Sequence, residues 1–111
     1  MDKVKRPLVS KVKISDDVII TAARLAALDV KGVAGLAGEI RRINKIKNNG
    51  PIVVSAIGDV AALDVNIRVC GGEKAVAVAQ EVQSAVKENV QNMTGVTVAR
   101  VNVTVCGVVY E

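Results

Sequence analysis

The chain contains no histidine, no phenylalanine and no tryptophan, and Tyr110 is its one aromatic residue. Without histidine it lacks the commonest general base near neutral pH and the commonest metal ligand. Its two cysteines, Cys70 and Cys106, are too few ligands for a Cys/His zinc site. They also lack the Cys-x-x-Cys spacing of redox centres, so they read as two small apolar residues near strand ends in a reducing compartment. With so few aromatic rings there is no stacking platform for single-stranded nucleic acid. No apolar run reaches the ~18 residues of a spanning helix, because Arg24 interrupts the stretch Val18 to Leu28. The N-terminus is basic (Lys3, Lys5, Arg6) but has no apolar stretch of a secretion signal. The expected location is therefore cytoplasmic. In that compartment the triplets Asn92-Met93-Thr94 and Asn102-Val103-Thr104 are chance matches to a glycosylation site.

What the chain does have is small, branched apolar side chains. Half of its 111 residues are hydrophobic, which is enough for the core of one domain. Valine dominates, and a core of stiff β-branched residues favours strands. Charge is uneven: residues 1–50 hold eleven Lys/Arg against five Asp/Glu, whereas residues 51–111 hold four against six. The basic excess concentrates in residues 3–13 and in Arg41, Arg42, Lys45 and Lys47.

Residues 1–7 read as a flexible basic tail and residues 8–111 as one domain. Leu8 to Ile14 suits a short strand. Ser15 can cap a helix through its hydroxyl, and Asp16 and Asp17 favour its positive end, so a helix is expected from there to about Leu28. Its polar stripe is narrow (Asp17, Thr21, Arg24), which predicts burial on more than one side, part of it against another subunit. Gly32 to Gly38 predicts a short irregular strand, and Glu39 to Gly50 a basic connector. Ile52 to Ile57 and Val60 to Cys70 predict two strands joined by a two-residue turn at Gly58-Asp59. In the second, Leu63, Val65, Ile67 and Val69 share a face opposite Asp64, Asn66 and Arg68.

A second helix is expected from about Glu73 to Met93, with Ala75, Ala79, Val82, Val86, Val90 and Met93 inward and Gln80, Glu81, Gln83, Ser84, Lys87, Glu88, Gln91 and Asn92 solvated. Gly95 stops it. The closing strand places Val101, Val103 and Val105 on one face and Arg100, Asn102 and Thr104 on the other. Strand, helix, strand implies a right-handed crossover, with the last strand parallel to Val60–Cys70. The fold class is α+β: two main helices on one face of a small mixed sheet, split β-α-β-like.

Two blocks resemble the alkaline shock protein family. One is Val12-Lys13-Ile14-Ser15-Asp16-Asp17-Val18-Ile19 followed by Ala26-Ala27-Leu28-Asp29-Val30-Lys31-Gly32-Val33-Ala34-Gly35-Leu36. The other is Glu88-Asn89-Val90-Gln91-Asn92-Met93-Thr94-Gly95-Val96 through Val101-Asn102-Val103-Thr104-Val105-Cys106-Gly107-Val108. The resemblance implies a bacterial protein of the cell-envelope stress response. It implies self-association, and attachment to the membrane periphery through a small anchoring membrane partner. It implies no catalytic residue, cofactor or metal. The chain departs from the family pattern in lacking a histidine near Thr104 and a long charged tail.

Candidate interaction residues are Arg24, Arg41, Arg42, Lys45 and Lys47. Read as a helix, the last four flank Ile40, Ile43 and Ile46, a short basic amphipathic segment able to meet phosphates, anionic lipid or an acidic partner. Gly32-Val33-Ala34-Gly35 has the Gly-x-x-Gly form of the loop by which KH domains clamp RNA, so a KH-like nucleic-acid-binding module is the alternative. The usual basic residue between the glycines is absent, and a plain backbone bend explains the motif. Asp16 and Asp17 are accounted for by the helix start. The functional expectation is a non-enzymatic, homo-oligomeric scaffold.

Overall fold

The structure is a computed structural model that describes residues 13–37 and 51–110. The order is α1 (Asp16–Leu28), β1 (Val33–Leu36), β2 (Ile52–Ile57), β3 (Val60–Cys70), α2 (Ala75–Thr94) and β4 (Thr97–Val109). Both helices lie on one face of a four-stranded mixed sheet, and the buried residues of all six elements form one cluster.

Ser15 starts α1 as expected: its Oγ accepts the Val18 amide at 3.4 Å, with Asp16 and Asp17 in the first turn. The buried residues Ile19, Ala22, Ala23, Ala26 and Ala27 follow helical spacing and mark a single face. The expectation of burial on more than one side fails within the chain, because Val18, Leu25 and Leu28 face outward. The alanines bring α1 close enough to α2 for Asn89 Nδ2 to donate to the Ala22 carbonyl at 2.8 Å.

In α2, Val78, Val82, Val86 and Val90 form a spine at i, i+4 spacing over the sheet. Val78 takes the inward position that Ala75 and Ala79 share only in part, and Met93 is exposed rather than inward. The helix begins at Ala75, two residues later than expected, and ends at Gly95, whose φ of +78° is left-handed. Thr94 Oγ1 donates to the Val90 carbonyl and accepts the Val96 amide, which fixes the exit into β4.

β3 is the central strand. Its helix-facing residues Ala61, Leu63, Val65, Ile67 and Val69 are all fully buried. β4 runs parallel to it, pairing Leu63 with Val101, Val65 with Val103 and Ile67 with Val105. The register slips twice, so Ala99 and Cys106 are bulged residues of β4. Val101 is buried, whereas Val103 and Val105, further along the same strand, are only half-buried.

On the other side β1 and β2 both run antiparallel to β3, end to end. Leu36 pairs with Ile67 and Ile52 with Val65, so Ala37 and Pro51 converge on the single position opposite Asn66. The Ala37 amide donates to the Asn66 carbonyl and the Asn66 amide donates to the Pro51 carbonyl, both at 2.9 Å. One residue of a continuous antiparallel strand would make both bonds. β1 and β2 are thus two halves of one strand, and residues 38–50 leave and rejoin it at one point.

The strand expected over Leu8 to Ile14 falls largely outside the described residues. Its last two, Lys13 and Ile14, are not strand.

Candidate interaction surface

Of the five candidate residues, only Arg24 lies among those described: it is half-buried on α1. Arg41, Arg42, Lys45 and Lys47 lie outside them, as does the basic connector from Glu39 to Gly50. Because Ala37 and Pro51 flank Asn66, that connector is rooted on the β1/β2 edge of the sheet.

Charge separates accordingly. The described residues hold seven Lys/Arg and eight Asp/Glu, a net of −1. The chain's +4 therefore comes from the remaining residues, chiefly 1–12 and 38–50, each with a net of +3.

The largest apolar exposure on the helix layer is a stripe along α1. Val18, Leu25 and Leu28 are 47, 54 and 44 % exposed, at helical spacing. Met93, 57 % exposed, comes from the C-terminal end of α2. Leu25, Met93, Asn89 and Asn92 line one shallow groove between the two helices. Asn89 holds that groove together: its amide donates to the Ala22 carbonyl and lies 3.5 Å from Met93 Sδ. A second shallow groove, at the start of α2, is bordered by Asp29, Lys31, Glu73, Lys74, Glu81 and Glu88. Sequence periodicity missed the α1 stripe because the core takes the small alanines Ala22, Ala23, Ala26 and Ala27 and leaves the larger Val18, Leu25 and Leu28 outside. The excess of apolar residues was visible, but not which of them stay outside.

Among the described residues, the sheet face away from the helices is polar at its centre and apolar at the β2/β3 turn, where Val53, Ile57 and Val60 are 38, 81 and 44 % exposed. Asn102 Nδ2 donates to Asp64 Oδ1 at 2.9 Å, and the half-buried Arg68 side chain lies beside Gly107. Cys70 and Cys106 are free thiols. Among the described residues no group of three or more His, Cys, Asp or Glu side chains could hold a metal, and no helix is long and apolar enough to cross a membrane. The Gly-x-x-Gly segment is not a loop here. Val33, Ala34 and Gly35 belong to β1, and Gly32 turns the chain into it with a φ of +99°.

Fold and surface together define a small two-layer α+β module with shallow grooves of mixed character. The chain belongs to the alkaline shock protein 23 family, described as having a cell envelope-related function, whose model matches residues 5–110. It is 28 % identical over 106 residues to the uncharacterized protein YqhY of Bacillus subtilis (strain 168), spanning 91 % of this chain and 78 % of that one. Among solved structures it is similar to several forms of the MamM CTD, including one described as a copper form. The TM-score is 0.54 at 18–20 % identity, over 83–84 % of this chain and 94–98 % of those chains. That likeness concerns the fold alone.

Proposed function

We propose that the protein is a non-enzymatic, self-associating scaffold of the cell-envelope stress response, held near the membrane by a partner protein. The observation that carries this reading is the apolar stripe of Val18, Leu25 and Leu28 on a helix whose opposite face already fills the core. A stripe of this kind, beside the exposed Met93, is the sort of surface that marks protein contacts. The family's cell envelope-related function supports the same reading. The basic residues of 1–12 and 38–50, joined to a weakly acidic body, would favour anionic surroundings such as a membrane face.

Sedimentation at micromolar concentration tests self-association, and a strict monomer refutes it. Binding to a purified candidate membrane anchor, weakened by Leu25→Asp in α1, tests the partner. Membrane fractionation of the protein's own cells should find the chain with membranes only while the anchor is present.

The alternative, nucleic-acid binding, rests on Arg41, Arg42, Lys45 and Lys47. It requires RNA binding that weakens with salt and disappears when these four are neutralised. The placement of Val33 to Gly35 inside a paired strand removes the KH-type clamp from its support.

A further inference from the structure

Among the described residues, the outer edge of β4 is bonded along one half and has no partner along the other. Thr97 donates its amide to the Asp59 carbonyl, on the β3 side. Val98 points the opposite way, and its amide donates to Gln91 Oε1 at 3.0 Å. The Val101 carbonyl also faces out, where it accepts Gln83 Nε2 at 3.1 Å. Two glutamines of α2 thus reach over the start of the edge and occupy backbone groups that an incoming strand would use. Backbone direction alternates along a strand, so Val103 and Val105 present their amides and carbonyls outward like Val101, while Asn102 and Thr104 turn theirs to β3. No helix side chain is bonded to these later groups among the described residues.

The usual protections of an open edge are also missing there. Edges are commonly blunted by lysine, other charges or proline. Residues 101–110 contain none of these, and Arg100 is the one charge in β4. The single irregularity is the bulge at Cys106.

We propose that β4 from Val103 onward is the seam at which a second copy of this chain pairs, antiparallel across a twofold axis. This inference rests on the self-association reading and names its surface. An antiparallel twofold pairing sets the same segment against itself, so the valines and threonines of one copy meet those of the other with no like charges opposed. The axis runs through the sheet plane at right angles. Both helix layers therefore fall on the same face of one continuous sheet, and the α1 stripes of the two copies lie on the same side of the assembly.

The test is amide hydrogen exchange resolved by residue, alongside sedimentation of the full chain over a range of concentrations. Val103 and Val105 amides should gain protection of at least tenfold as the chain associates, while Asn102 and Thr104 stay protected throughout. Val105→Pro removes one outward amide without touching the β3 ladder, and Thr104→Lys places opposed charges at the seam. Each should shift the chain to monomer while leaving a folded circular dichroism spectrum. A monomer at all concentrations overturns the scaffold reading itself. Association without protection at Val103 and Val105, or association lost with Leu25→Asp but kept with both seam variants, leaves that reading standing and overturns this seam. Protection that is independent of concentration and vanishes on removing residues 1–12 assigns the edge to the chain's own N-terminus and equally overturns the seam.

Discussion

Removing residues 38–51 should leave the domain folded and make it more stable. Ala37 and Pro51 share the position opposite Asn66, with Leu36 opposite Ile67 before them and Ile52 opposite Val65 after them. Joining Ala37 directly to Ile52 converts β1 and β2 into one strand in unchanged register. The Asn66 amide, which now donates to Pro51, would find the Ala37 carbonyl in the same place. Closing a loop of this length costs about 2 kcal/mol on the scaling of closure entropy with length. The deletion removes that cost, and for a domain of this size it should raise the melting temperature by roughly 10 °C. The assay is thermal denaturation followed by far-ultraviolet circular dichroism. A comparable fall in melting temperature, or loss of a cooperative transition, would refute the split-strand account and show that the removed residues help hold the sheet. The same variant lacks Arg41, Arg42, Lys45 and Lys47, so it also asks whether the basic connector binds anything without disturbing the rest.

Three further outcomes are expected, each read by chemical or thermal denaturation. Gly32→Ala should destabilise by about 2–4 kcal/mol, since a methyl group there would sit 2.7 Å from Val78 Cγ2 on a backbone with φ of +99°; a loss below about 0.5 kcal/mol would contradict the close approach. Leu63→Ala, at a fully buried site in the centre of β3, should cost about 2–5 kcal/mol. Asn89→Ala should cost about 0.5–1.5 kcal/mol by removing the side-chain bond between the helices, the Ala22 carbonyl keeping its donor within α1, and a neutral result would mean that water replaces the bond.

The elements most legible in the sequence were those set by local rules. Ser15, Gly95 and the Gly58-Asp59 turn mark their boundaries through hydrogen-bonding capacity or backbone freedom, and each acts as its type demands. The alternation of Leu63, Val65, Ile67 and Val69 gave the buried face of β3 directly. What stayed hidden depends on partners distant in the chain. Gln83 and Gln91 look like ordinary solvated helix residues, and only the crossover geometry brings them over the edge of β4. Met93 fits an inward spacing but borders the groove between the helices, beside Leu25 and Asn89, and stays exposed there. The union of β1 and β2 is a matter of register against β3, which no property of residues 37 or 51 announces. For the candidate surface, composition identified the basic cluster, while the apolar stripe emerged only when the packing showed which side of α1 the core had claimed.

A core of valine and alanine has an entropic consequence. Alanine has no rotamers to lose on folding, and valine, branched at its first carbon, already favours few. The spine Val78, Val82, Val86 and Val90 and the packed alanines Ala22, Ala23, Ala26 and Ala27 therefore reach their folded arrangement with little side-chain freedom surrendered. Each buries less surface than a phenylalanine or leucine would, but less is lost in ordering it. Stability in this domain thus depends on many small contributions of similar size, so tolerance to substitution should be spread evenly along the spine rather than concentrated at one anchoring residue.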